Sequence, residues 1–248
     1  MNISGNTIFI TGGASGIGRA LAEALHSNGN KVIIASRRKE LLEEVTKKNP
    51  GVEYVVLDVS NAKGIKSAAD EALQRFPEIN VVINNAGIML IDNAADELDD
   101  KQVTEIIATN LLGPIRTTSA FIEHLKSKKS AVIMYVTSVL GFVPLAPTSV
   151  YSATKAAMHS FAMSQRFMLR DTDVRVLEIA PPWVQTALLN SSEEPRAMPL
   201  KPFIEETMAQ LATDADEILV GQAPHLRAMP GPNEMAFVRE FNSAFLAG

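Results

Sequence analysis

The chain contains no cysteine, which removes disulfides, a thiol nucleophile and any thiolate metal site from consideration. Histidine is scarce as well. His26, His124, His159 and His225 are scattered, and none stands at a metal-ligand spacing from an Asp or Glu, so no metal is expected. A Ser-His-Asp order and a nucleophile elbow are both missing. Positive charge is not in excess: 23 Lys and Arg against 28 Asp and Glu give a net charge of −5. That balance argues against nucleic acid or an anionic membrane as the main partner. No apolar run reaches the length of a bilayer span. The first residues enter an apolar run at once, without a signal-peptide pattern, and the expected location is cytoplasmic. Linkers, internal repeats and low-complexity tracts are also lacking, which leads to the expectation of one domain.

What is present is 248 residues, 46% hydrophobic and 21% charged, an ordinary globular composition able to bury a sizeable core. Short apolar runs alternate with helical patterns. Strands are predicted at residues 7–10, 31–35, 52–57, 80–83, 131–137 and 174–179, with a seventh, edge strand at 217–220. Helices are predicted at 14–27, from about 41 to 49, at 62–75 with Ser60 as the cap, at 101–126, 149–169, 201–211 and 233–246. Gly29 suits a left-handed stop for the first helix. Gly113-Pro114 lies inside the fourth helical pattern, where proline should bend it or interrupt a hydrogen bond. Runs that are apolar on both faces and alternate with helices predict a doubly wound parallel α/β sheet with helices on both sides. In the last helix Phe237, Phe241 and Phe245 recur every four residues; core packing is the expected use, with a subunit interface second. Met134, Met158, Met163 and Met168 are expected to fill core and interface gaps.

The turn between the first strand and the first helix reads TGGASGIG from Thr11 to Gly18. Gly12, Gly16 and Gly18 let backbone approach a pyrophosphate, which then meets the positive end of the helix. The position of this turn, at the first strand-to-helix junction of an alternating chain, points to a nucleotide site rather than to a bare tight turn. The second strand ends in Ser36-Arg37-Arg38 where an NAD site usually has an acid for the ribose 2′-hydroxyl. A 2′-phosphate suits the arginines better, Arg37 first, and favours NADP(H) over NAD(H).

Tyr151 and Lys155 stand four residues apart in a helical pattern and so share a face. An ammonium beside a phenol favours the phenolate and is expected to bring its pKa toward the working range. Ser138 stands at the end of the fifth strand and Asn110 in the long fourth helix.

The ordered set of Thr11 to Gly18, Asn84-Asn85-Ala86-Gly87, Asn110, Ser138 and Tyr151 with Lys155 resembles the short-chain dehydrogenase/reductase family in its compact branch, over residues 5 to about 190. Pro181-Pro182-Trp183-Val184-Gln185-Thr186 is similar to the family segment after the sixth strand, with Pro182 where glycine is usual, a departure that looks like the DltE-type oxidoreductases. The resemblance implies a Rossmann-like sheet of seven strands and hydride transfer between NADP(H) and a small-molecule carbonyl or alcohol. Tyr151 would be the acid/base, Lys155 its electrostatic partner, Ser138 the binder of the substrate oxygen and Asn110 the holder of a relay water. The cofactor would meet Gly12, Ser15, Gly16, Ile17, Gly18, Ser36, Arg37 and Arg38, with Asp58 and Val59 at the adenine and Asn85, Ala86 and Gly87 near the ribose. Tyr151, Lys155, Pro181, Val184 and Thr186 would lie at the nicotinamide end. Residues 1–248 are expected as one domain, with 187–248 forming the substrate lid and C-terminal segment. Leu90, Leu140, Phe142, Trp183 and Leu188 are the expected apolar lining of the pocket. A homodimer or homotetramer built on the helices at 101–126 and 149–169 is the expected assembly. An NAD(H)-preferring dehydrogenase and a cofactor-sensing protein without turnover are the competing readings.

Overall fold

The structure, a computed structural model, describes residues 1–247. Seven strands form one parallel sheet: β1 (Thr7–Thr11), β2 (Lys31–Ser36), β3 (Glu53–Val56), β4 (Val81–Asn84), β5 (Ala131–Val136), β6 (Val174–Ile179) and β7 (Glu217–Ile218), in the order β3-β2-β1-β4-β5-β6-β7. The order reverses direction between β1 and β4, and that switch point opens a crevice at the C-terminal strand ends. The nine helices among the described residues are α1 (Gly16–Ser27), α2 (Lys39–Lys48), α3 (Ala62–Arg75), α4 (Asp100–Ile107), α5 (Gly113–Lys126), α6 (Ser149–Met168), α7 (Leu200–Leu211), α8 (Ala223–Arg227) and α9 (Glu234–Ala247). None of them is long and apolar enough to cross a membrane.

Strand periodicity sends alternate side chains to two cores. Ile8, Ile10, Val32, Ile34, Met134 and Leu177 meet Leu21 and Leu25 of α1 and Phe203 and Leu211 of α7 on one face. Phe9, Ile33, Val82, Ile133 and Tyr135 meet Ile65 and Ala72 of α3, Phe121 and Leu125 of α5 and Met158 and Ala162 of α6 on the other. Phe9 and Phe121 pack with ring centroids 4.9 Å apart, and a fully buried ring of this kind contributes about 1.5–3 kcal/mol. Gly29 closes α1 with φ of 82°, as its position predicts.

Several expectations need correction. The cap of α3 is Asn61, whose side chain accepts from the Lys63 and Gly64 N–H groups; Ser60 instead hydrogen-bonds Asp58. The single helix expected at 101–126 is two helices joined by a π-turn over Ala108–Leu112, in which the Gly113 N–H reaches the Ala108 carbonyl. Pro114 then sits in the first turn of α5, where a missing N–H is tolerated. Residue 114 would serve the Asn110 carbonyl in a continuous α-helix, and a proline there brings no donor to it. Of the methionines expected in core and interface gaps, Met134 and Met158 are in the core, and Met163 and Met168 of α6 lie on the surface of the single chain, where an interface would cover them.

Candidate active site

The site is assembled where β1, β4, β5 and β6 end. Thr11 closes β1 and its hydroxyl accepts from the Asn85 and Ala86 N–H groups, both at 3.1 Å. Asn85 returns the contact, donating from Nδ2 to the Thr11 and Gly12 carbonyls. The two strand ends at the switch point are thus tied together. Gly12 has φ of 70°, and a Cβ there would lie 2.7 Å from Asn85 Nδ2 and 2.8 Å from Ala86 Cα. Gly18 is tighter, with Asn85 Nδ2 2.2 Å from a Cβ position. The glycines therefore serve close packing of the turn on Asn85 as much as backbone freedom.

The turn leads into α1 with Ser15 at the N-cap, but Ser15 makes no side-chain cap. Its hydroxyl instead accepts from Arg38 Nη2 at 2.8 Å. The first-turn N–H groups of α1 therefore face the crevice uncapped, with a guanidinium beside them, an arrangement suited to a phosphate. Arg37 stands farther out and only approaches Glu105 at 4.0 Å. Its charge also bears on Asp58. Burial raises that carboxyl, but hydrogen bonds from Ser60 and the pull of Arg37 outweigh it and leave Asp58 below the usual range. The sequence ranks Arg37 ahead of Arg38 for the phosphate; the geometry ties Arg38 to the glycine turn.

Ser138 follows β5, and Gly141 lays the next turn directly on α6: a Cβ at Gly141 would be 2.9 Å from the Lys155 backbone. Ser152 fixes the same loop by accepting from the Leu145 N–H at 3.2 Å. Asp92 caps α6, accepting from Ser149 N at 2.8 Å and Val150 N at 2.9 Å, where a carboxylate also meets the positive helix end. These contacts set Ser138 against Tyr151. Asn110 is buried, and its side chain is engaged with the Ile88 backbone, accepting from N at 2.9 Å and donating to O at 2.8 Å. Pro114 has no N–H to give the Asn110 main-chain carbonyl.

Lys155 is buried, and Nζ donates to the Val136 carbonyl at 2.8 Å. It lies 5.4 Å from the centre of the Tyr151 ring. Burial lowers the ammonium to about 8, with the Glu178 charge opposing. Burial raises the Tyr151 phenol to about 12, and Ser138 pulls it back. The lysine is not among the groups that lower the phenol. The expected downward shift is thus corrected: desolvation governs Tyr151 in this arrangement.

One cavity of about 780 Å³ runs from Arg37 and Arg38, past the glycine turn, to Ser138 and Tyr151. Every residue expected at the cofactor lines it, and Asn110 alone of the four expected catalytic residues does not. Of the expected apolar lining, Leu140, Trp183 and Leu188 are present, while Leu90 and Phe142 are not. Phe142 instead turns edge-on to His159, 4.9 Å between centroids. Arg196, Gln222, Leu226, Phe241 and Phe245 also stand in the wall; all five fall in the segment 187–248 expected at the substrate, but the sequence does not single them out. The four-residue spacing of the phenylalanines marks a helix face but not what that face meets. Behind the site, His159, Glu178 and Glu217 converge within 4.8 Å, but their oxygens are engaged by Thr137, by His159 itself and by Arg227.

The family model for short chain dehydrogenases matches residues 6–197. The chain belongs to the short-chain dehydrogenase family. It is an oxidoreductase of that family, and is 38% identical over 221 residues to the uncharacterized oxidoreductase DltE of Bacillus subtilis, covering 86% of this chain and 85% of the relative. Among solved structures, a short chain dehydrogenase from Burkholderia cenocepacia in complex with NADP aligns with a TM-score of 0.85 at 27% identity, over 97% of this chain and 98% of the other. A 3-ketoacyl-(acyl-carrier-protein) reductase from Brucella melitensis complexed with NADH aligns at 0.78 and 26% identity, over 86% and 93%.

Proposed function

We propose that this dehydrogenase transfers a hydride between NADP(H) and a carbonyl/alcohol pair, with Tyr151 as the general acid and base. The observation that carries this is one continuous cavity with uncapped helix N–H groups and Arg38 at one end and the Tyr151 and Ser138 hydroxyls at the other. The relatives' complexes with NADP and with NADH support a nicotinamide cofactor. When bound, the nicotinamide supplies the hydride that reaches the carbonyl carbon. Tyr151 gives its proton to the oxygen as negative charge develops there, and Ser138 donates a hydrogen bond that positions the same oxygen. Lys155 holds the ribose hydroxyls and returns a proton to Tyr151 through a water on the Asn110 carbonyl. Gly12, Ser15, Gly16, Ile17 and Gly18 hold the pyrophosphate, Asp58 and Val59 the adenine, and Asn85, Ala86 and Gly87 the ribose region. Pro181, Val184 and Thr186 border the nicotinamide. Residues 187–248 act as lid and C-terminal wall, the working location is the cytoplasm, and the enzyme works as a homodimer or homotetramer.

Ser36, Arg37 and Arg38 favour the 2′-phosphate. A charge-assisted hydrogen bond of about 1.5–3 kcal/mol corresponds to roughly a 10- to 100-fold preference. Steady-state kinetics with a panel of ketones, aldehydes and quinones tests both parts. Tyr151→Phe should abolish turnover and leave NADPH binding nearly intact; full activity would sink the mechanism. Arg38→Ala should raise the KM for NADPH and not that for NADH, and equal use of the two cofactors by the wild type would refute the arginine assignment.

A further inference from the structure

Tyr151 and Ser138 address only the oxygen of a carbonyl, so the rest of the substrate is read by the opposite wall of the cavity. Much of that wall comes from α9. Phe241, Ala244 and Phe245 share one helix face by their spacing and all line the cavity. Across from them is Trp183, its ring centroid 5.5 Å from that of Phe245. Leu140 and Leu189 continue the apolar surface. Arg196 is the charged side chain on this side, and it is engaged: it pairs with Glu194 at 2.8 and 3.2 Å and lies 5.0 Å from the Trp183 ring centre.

The helix is fixed to the chemistry rather than loosely laid over it. Asn242 is buried, accepts from the Ala146 N–H and donates to the Pro144 carbonyl at 3.0 Å. Pro144 and Ala146 belong to the loop between Ser138 and Tyr151. Phe237, Val238 and Phe241 also pack against Val139, Phe142 and Leu226. The position of the wall is therefore set relative to the two hydroxyls.

We propose that the Phe241, Ala244 and Phe245 face of α9, with Trp183, is the specificity-determining wall, and that it commits the enzyme to carbonyl compounds bearing a bulky aromatic group. Ala244 is the small side chain of this face, so a ring introduced there would crowd an aromatic group. Hydroxyls laid against the Phe241, Phe245 and Trp183 rings would leave water without gaining partners there, which disfavours polyhydroxylated carbonyls on this face. The inference rests on the reading of Tyr151 and Ser138 as the proton-transfer end.

Trp183 is the only tryptophan in the chain, so its fluorescence reports on this wall without turnover. Titration of the NADP⁺-loaded protein with 2-acetylnaphthalene should give saturable quenching, and hydroxyacetone should give none. Ala244→Phe should weaken the naphthyl ketone about 10- to 100-fold and lower its kcat/KM relative to that of hydroxyacetone by a similar factor. If thermal melting shows that this variant does not fold, Phe245→Ala serves instead and should also lower the ratio. Absence of quenching by the naphthyl ketone, a preference for hydroxyacetone, or an unchanged ratio in the folded variant would overturn the wall. If quenching and its loss behave as stated while Tyr151→Phe keeps full turnover, the wall stands and the proton-transfer assignment fails.

Discussion

Tyr151 and Lys155 are four residues apart, and their spacing alone gives a shared helix face; their ionisation depends on surroundings that no spacing contains. Both are buried, and desolvation moves them toward their neutral forms, the phenol up to about 12 and the ammonium down to about 8. A phenol with this pKa stays protonated through neutral pH and can donate during carbonyl reduction. Above about 8, Lys155 loses its charge, and the proposed return of a proton to Tyr151 loses its donor. We expect kcat/KM for reduction to be flat from about pH 6 to about 8 and to fall above it, while alcohol oxidation, which needs the phenolate, rises with pH over the same interval. Rate profiles in both directions check this, and a reduction rate climbing through about pH 9 would contradict it. The same distinction explains Arg37 and Arg38. Composition at the end of β2 announces a basic site, but which guanidinium reaches Ser15 is decided by the turn after β2, and the geometry favours the second.

At the scale of elements, the alternation of apolar runs and helical patterns makes the sheet legible, because a parallel sheet covered on both faces demands strands apolar on both sides. Termini are less legible. Ser60 and Asn61 are both good caps by type, and what separates them is that Asp58 already holds the Ser60 hydroxyl. Asn61→Ala should lower unfolding free energy by about 1 kcal/mol in urea denaturation. Ser60→Ala should change it by less than about 0.5 kcal/mol, because it removes a contact to the cavity rim and not to the helix. Equal losses would return the cap to Ser60. The π-turn is only half visible in the sequence: Gly113-Pro114 signals an irregularity, whereas the distortion lies in the five residues before it. The part played by α9 is visible only coarsely: the resemblance puts 187–248 at the substrate side as a whole, without saying which α9 side chains line the cavity. Phe241 and Phe245 pattern like core residues, and only tertiary placement turns them toward a cavity.

On the whole molecule, one face of α6 stands out. Met163 and Phe167, four residues apart, and Met168 are exposed at 43, 63 and 73%, on the helix whose other face packs under β5 and carries Tyr151. These exposed apolar side chains fit the proposed homo-oligomer, in which a partner would cover them. Light scattering should give two or four times the 26.8 kDa chain mass, and Phe167→Glu should shift the protein toward that single-chain value. A wild-type monomer at micromolar concentration would refute the assembly.

The π-turn between α4 and α5 has a consequence for how this helix can vary. A π-turn is the form a helix takes when one residue is inserted and the downstream turns keep their orientation. The α5 residues Thr117, Thr118, Phe121 and Leu125 keep their aim at the core, while Asn110 leaves the regular spiral and reaches Ile88. Taking the extra residue away would restore the spiral, withdraw Asn110 and strand Pro114 inside a continuous helix, where it costs about 3 kcal/mol. The proline is tolerated here because it follows the insertion, so shortening this stretch by one residue should cost less stability once Pro114 is replaced as well.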